Sequence, residues 1–73
     1  MQITTHSARI TGPLAYLAAG GKMRHIPIGP CLLERTDDGS IDVIWGANGQ
    51  SSAALPATVI QAAHEDGILQ LVD

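Results

Sequence analysis

The side chains of this sequence that are best suited to catalysis or metal binding are one cysteine and three histidines. Cys31 could act as a nucleophile if a neighbouring base or a helix amino terminus lowered the pKa of its thiol. The histidines are His6, His25 and His64, and the spacing places none of them beside Cys31. Cys31 lies in an apolar run with two leucines, where cysteine usually behaves as a small buried hydrophobic residue. The sequence therefore predicts a structural thiol and no catalytic residue.

Metal and phosphate sites are not predicted either. Structural zinc sites use Cys or His pairs separated by about two to five residues, whereas the histidines here are single and the cysteine has no second cysteine. Gly20-Gly21-Lys22 shares its last two residues with a phosphate-binding loop, but Tyr16 and Met23 occupy the positions that need glycine and serine or threonine. We therefore expect no metal, no cofactor and no enzymatic activity.

A binding surface is the remaining way for this chain to act. Lys22, Arg24 and His25 belong to its only basic cluster, and Tyr16 and Trp45 are its only aromatic residues. Tyr and Trp are enriched at protein interfaces, because they bury a large area and keep one polar group. These five residues form the candidate interaction surface.

Two classes of function use such a surface. The first is a non-enzymatic protein-interaction or accessory module that binds another protein or itself, and at this length both a homodimer and a monomer stay open. The second is a small nucleic-acid-binding or regulatory protein that uses the basic amino-terminal half, since residues 1–33 contain no carboxylate side chain. The net charge of −3 disfavours nucleic acid as the partner, because dedicated nucleic-acid domains are usually basic overall.

The length and the cysteine content indicate the number of domains and the cellular location. A chain of 73 residues has room for one domain, 1–73, with a small core. One cysteine cannot form an intramolecular disulfide, and a secreted domain of this size usually carries several, so we expect a cytoplasmic protein. No apolar run approaches the roughly 20 residues that span a bilayer, so no membrane partner is expected.

The clearest predicted element is a hairpin in the middle of the chain. Asp37-Asp38-Gly39-Ser40 is a tight-turn signal, in which Gly39 supplies a positive φ. The strand before it, Arg24 to Thr36, contains prolines that cannot donate to a ladder, which predicts an edge strand or a bulged strand. The strand after it, Ile41 to Trp45, alternates so that Trp45 shares the face of Ile41 and Val43. We expect Trp45 to be mostly buried, and an interface position beside the Gly46–Gly49 turn is the alternative.

The other elements include two ambiguous segments. Pro13 to Ala19 favours a short helix before Gly20, although a strand turned back at Gly12-Pro13 is also consistent with it. Gln50 to Leu55 is either a third meander strand or a segment in which Ser51 or Ser52 caps a helix. The remaining predictions are a first strand over Gln2 to Thr11, a helix from Pro56 that buries Val59, Ile60 and Ala63 and ends at Gly67, and a last strand over Ile68 to Val72.

Together these elements predict an α+β fold. It is a small antiparallel β-meander with one carboxy-proximal helix and a short closing strand. An SH3-like small β-barrel is the alternative, because the same order of elements suits that architecture.

Overall fold

The fold is built on one five-stranded antiparallel sheet. The computed structural model describes residues 5–72. In chain order the elements are β1 (Thr5–Ile10), β2 (Ala15–Leu17), β3 (Met23–His25), β4 (Gly29–Arg35), β5 (Ser40–Trp45), β6 (Ser51–Pro56), the helix α1 (Ala57–Glu65) and β7 (Leu69–Leu71). The large sheet has the strand order β6-β5-β4-β1-β7, while β2 and β3 pair with each other in a separate two-stranded sheet, here called the ribbon. The predicted α+β class, with its carboxy-proximal helix and closing strand, is confirmed.

The sheet is open, so the alternative SH3-like barrel is wrong. Strand β6 lies at one edge and β7 at the other. The chain passes between these two edges through α1, which contacts β5, β6 and β7. The two edge strands lie at opposite ends of the strand order and do not pair with each other.

The two faces of the sheet differ in what covers them. The inner face carries buried side chains from all five strands, among them Ile10, Leu33, Val43, Leu55 and Leu69. Ile60 and Ala63 of α1 pack onto this face, and Leu14 and Ile26, at the base of the ribbon, belong to the same core. The outer face carries the alternate residues of the same strands, and within residues 5–72 neither the helix nor the ribbon packs on it. The core therefore lies on one side of the sheet only.

The central hairpin forms as predicted. Leu33 pairs with Val43 across β4 and β5. At the turn, the Thr36 N–H donates to the Ser40 carbonyl at 3.0 Å, and Gly39 adopts a φ of +87°. A glycine with a positive φ is common in hairpin turns.

The edge-strand prediction for Arg24 to Thr36 is wrong. The segment is interrupted at residues 27–28 and contributes β3 to the ribbon and β4 to the middle of the large sheet. Strand β4 accommodates Pro30 because β5 pairs only with Leu32 to Arg35. Pro30 therefore lies beyond the end of β5, where a missing N–H costs no ladder hydrogen bond.

The prediction of a short helix over Pro13 to Ala19 is also wrong, since this segment contains the strand β2. So short a helix is marginal on its own. In the extended form, Leu14 and Tyr16 lie on the same side of the segment because side chains alternate along a strand. Leu14 is buried there and Tyr16 is half-buried. Gly20 and Gly21 both have a positive φ and turn the chain back into β3.

The carboxy-terminal half follows the remaining predictions closely. Residues 51–56 form a strand, so neither serine caps the helix. The helix ends as predicted near Gly67, which has a φ of +77°, and the Ile68 N–H donates to the Ala63 carbonyl at 2.9 Å. Val59 is exposed, although its spacing predicted burial with Ile60. The predicted first strand is confirmed over Thr5–Ile10, and its residues 2–4 lie outside the described residues.

Candidate functional site

The two aromatic residues of the candidate surface meet in the structure. The rings of Tyr16 and Trp45 lie 5.6 Å apart between centroids, in an edge-to-face arrangement with an interplanar angle of 61°. Trp45 projects from the inner face, and Tyr16 reaches it from the ribbon. Both side chains are partly buried and pack against the core. Trp45 is thus neither fully buried nor fully exposed. Its position is intermediate between the two predictions, a mostly buried side chain and an interface residue.

The basic residues of the candidate surface are spread over the ribbon. Arg24 lies directly opposite Tyr16, whereas His25 lies opposite Ala15 and therefore projects from the other side of the ribbon. Lys22 lies just before β3, and its carbonyl accepts from the Ala18 N–H at 2.7 Å. All three basic residues are exposed. The structure therefore groups Arg24 with the aromatic pair and separates His25 from it.

A larger candidate site lies on the outer face of the sheet. Leu32, Ile44 and Val72 line an open cavity of about 500 Å³, and the Gly46–Gly49 turn forms one wall. Leu32 is 41% exposed and Val72 is 62% exposed. Leu32 pairs with both Ser7 and Ile44, so these residues form one row across three strands. This row is apolar at its centre, and its other members include the small polar residues Ser7 and Ser52.

Charged residues bound this apolar row on both sides. Glu34 lies directly opposite Asp42 in the adjacent row of the outer face. Arg9 lies on the other side of the apolar row, opposite Pro30. Two like charges that face each other across a strand pair destabilise the sheet. The outer face thus combines an apolar centre with a pair of facing carboxylates on one side of it.

A second concavity lies on the inner face beside α1, around Leu33 and Ile41. It consists of two adjoining cavities of about 220 and 270 Å³, and both are lined by Leu33, Arg35 and Ile41. His6 lines one of them and His64 the other. Arg35 lines both of these cavities, whereas Arg9 lies on the outer face and Lys22 and Arg24 belong to the ribbon region.

The buried thiol has no environment that would activate it. Cys31 is 6% exposed, and burial raises its pKa above the usual 9.0. A thiol with a raised pKa remains protonated at neutral pH, and the thiol is a poor nucleophile in that form. Within residues 5–72, no group of three or more His, Cys, Asp or Glu side chains is placed to hold a metal ion.

Comparisons with protein families, with curated proteins and with solved structures find no match for this chain. None of the helices in residues 5–72 has the length and apolar character needed to cross a membrane. The case for a function therefore depends on the geometry of the surfaces just described.

Sequence reasoning missed the outer face, although the sequence contains a signal for it. Leu32 stands beside Leu33, and Ile44 stands beside Val43, so both strands are apolar at consecutive positions. A strand with one solvated face normally alternates between apolar and polar residues. Apolar residues at consecutive positions of β4 and β5 are therefore the sequence signal for the apolar surface on the outer face.

Proposed function

We propose that this protein is a non-enzymatic interaction module that binds another protein through the outer face of its sheet. The observation that carries the proposal is the apolar row of Leu32, Ile44 and Val72, in which Leu32 and Val72 are exposed and Ile44 is half-buried. This row lines a cavity on a face that neither the helix nor the ribbon covers within residues 5–72. Contiguous apolar surface with a polar rim is typical of protein-binding sites. The buried, protonated thiol of Cys31 supports a role without catalysis.

The charges beside the row define the kind of partner. Glu34 and Asp42 face each other next to the apolar centre. The partner that fits this arrangement presents an apolar side chain with a lysine or arginine next to it. The apolar side chain would enter the cavity, and the cation would lie over the two carboxylates. A cytoplasmic location agrees with this role, because the single cysteine is buried and unpaired.

A photo-crosslinking residue at position 32 tests this proposal in cells. The expected result is an adduct of defined mass, and its partner peptide should carry a lysine or arginine beside an apolar residue. The same residue at position 61 is the matched control, because Gln61 is also exposed but lies on the helix. The pair Glu34→Gln and Asp42→Asn should lower the adduct yield from position 32. Equal yields from positions 32 and 61, or a partner peptide without a basic residue, would contradict the proposal.

Nucleic-acid binding is the second candidate, and one observation favours it. Arg24 and Lys22 are exposed on the ribbon, and Arg24 lies opposite Tyr16. The ring of Tyr16 is in contact with Trp45, however, which reduces the ring surface available for stacking on a base. We expect no tight complex with DNA or RNA at physiological salt. A submicromolar complex that weakens steeply with salt, and further in the variant Lys22→Ala/Arg24→Ala, would reverse the order of the two candidates.

A further inference from the structure

The edge of the sheet formed by β6 is a second surface with unused binding capacity. Strand β6 has six residues, and all of them pair with β5, from Ser51 opposite Trp45 to Pro56 opposite Ser40. No strand in residues 5–72 lies on its other side. The backbone groups along that side, here called the free edge, therefore lack a strand partner in the described chain.

The hydrogen-bond alternation identifies which residues form the free edge. At the hairpin turn, the Thr36 N–H donates to the Ser40 carbonyl. In an antiparallel sheet, successive residues direct their N–H and C=O groups to opposite sides, so Asp42 also points toward β4. The intervening residues of β5 point toward β6. The unbroken register then leaves Ser52 and Ala54 of β6 with N–H and C=O groups directed outward.

The opposite edge of the sheet checks this assignment independently. The same alternation, carried through β4 and β1, predicts that Ser7 and Thr11 direct their backbone groups toward the chain around β7. The Thr11 N–H donates to the Ile68 carbonyl at 2.7 Å, and the Val72 N–H donates to the Ser7 carbonyl at 3.0 Å. Both hydrogen bonds therefore lie on the side of β1 that the alternation predicts.

The free edge of β6 lacks the features that prevent edge strands from pairing. Natural edge strands are protected by charged side chains, proline, bulges or short length. Strand β6 has the sequence SSAALP, with no charge, an unbroken register and a proline only at its last position. Strand β7, at the other edge, has only three residues. The unprotected edge is therefore β6.

We propose that β6 pairs antiparallel with β6 of a second copy of this chain, about a twofold axis at Ala53. Ser52 then lies opposite Ala54 of the second copy. Residues that face each other in this way exchange both of their N–H···O=C bonds, so both outward N–H groups are used in each copy. A register shifted to centre on Ala54 would place Ser52 opposite Pro56, which has no N–H. The first register is favoured because it pairs both the N–H and the C=O of Ser52 and of Ala54, whereas the shifted register leaves the Ser52 carbonyl without a donor.

The side chains at this edge are compatible with the pairing. Ser52 and Ala54 are small, exposed and uncharged. The nearest charge, Asp42, lies opposite Ala54 on the β5 side. The pairing joins the two sheets into one continuous sheet and places the two outer faces side by side. It does not depend on the partner proposed for the outer face, since it uses backbone groups of a different strand.

Two double variants test the proposal, and they differ from each other only in the sign of the charge at position 52. In S52E/A54K, the glutamate at position 52 faces the lysine at position 54 of the second copy, and that lysine also lies opposite Asp42 of its own chain. In S52K/A54K, lysine faces lysine across the axis. We expect S52E/A54K to remain a dimer and the dissociation constant of S52K/A54K to rise about tenfold, measured by sedimentation equilibrium. The control variant Gln61→Lys/Gln70→Lys adds the same charge elsewhere and should behave as the wild-type chain.

A cysteine introduced at position 53 tests the register. Facing residues that share no hydrogen bond have Cα atoms about 4.5 Å apart, within the range that a disulfide spans. Ala53→Cys should form a covalent dimer under mild oxidation, with the disulfide joining position 53 of one copy to position 53 of the other. Ala62→Cys, exposed on α1, should form a covalent dimer far more slowly. A wild-type monomer at millimolar concentration, equal weakening of both double variants, or equal disulfide rates at positions 53 and 62 would overturn the proposal.

Discussion

The two faces of β4 and β5 contain similar residues in opposite environments. Leu33 and Val43 are buried on the inner face, whereas their chain neighbours Leu32 and Ile44 lie on the outer face. The inner face is covered by α1 and by the ribbon, and the outer face has no such cover within residues 5–72. The comparison shows that residue type makes a face suitable for burial, while the element that packs on it determines whether burial occurs.

The largest expected effect separates the two adjacent leucines. Leu33→Ala should lower the free energy of unfolding by about 2–5 kcal/mol, because it removes a side chain that is 6% exposed and leaves a cavity. A loss of this size is a large fraction of the stability of a small domain. Leu32→Ala should cost less than about 1 kcal/mol. Urea unfolding followed by circular dichroism measures both, and equal losses would show that the outer face is also covered.

Thiol labelling compares the same two faces at neighbouring positions. Native Cys31 should react slowly, because it is buried and burial raises its pKa. The variant Cys31→Ala/Leu32→Cys moves the thiol to the outer face and should react rapidly with the same reagent. Denaturant should make the two rates similar. Rapid labelling of native Cys31 would contradict the inner-face assignment and revive a reactive role for this thiol.

A smaller effect is expected where the ribbon covers the inner face. The edge-to-face contact between Tyr16 and Trp45 should contribute about 0.5–1.5 kcal/mol beyond simple burial. A double-mutant cycle with Tyr16→Leu and Trp45→Leu measures this coupling. Leu17→Ala replaces Tyr16→Leu in the control cycle, since Leu17 is exposed on the other side of the ribbon, and the coupling there should be near zero. Trp45 emission should also shift to the red in Tyr16→Leu if the ribbon covers the indole.

The smallest effect concerns the turn, which belongs to neither face. The Thr36 hydroxyl and the Ser40 N–H both donate to the Asp38 carboxylate, and these hydrogen bonds hold its pKa below the usual 3.8. A lowered pKa in the folded state adds stability above pH 3.8, and this stability is lost as the pH falls through the folded pKa. Asp38→Asn should therefore flatten the pH dependence of unfolding in acid. Asp37→Asn is the control, and an identical pH profile for Asp38→Asn and the wild-type chain would argue against the role of these hydrogen bonds.

Some parts of the fold could be predicted because local interactions specify them. The Asp37–Ser40 turn depends on a left-handed glycine and on hydrogen bonds among adjacent residues. The end of α1 likewise depends on Gly67. Position in the sheet could not be predicted in the same way. Pro30 indicated an edge, yet β4 is central, because the length of β5 decides whether the N–H of residue 30 is needed.

The candidate site was predictable only in part, for a related reason. Tyr16 and Trp45 were selected as the only aromatics, but their contact requires the ribbon to fold over the inner face. The outer face was missed because the apolar run of Cys31, Leu32 and Leu33 was used only to predict a buried thiol. The free edge of β6 depends on the strand order of the whole sheet.

The sequence by itself determined the turns, the helix near the carboxyl end and the alternation within each strand, since these follow from φ preferences and side-chain spacing over a few residues. Only the tertiary structure decided that residues 15–17 are extended, which face of β4 and β5 is covered, and which strand is left at the edge. These outcomes depend on contacts between distant segments. A strand in a short, ambiguous segment becomes more stable than a helix only when its apolar side meets a core that the rest of the chain provides.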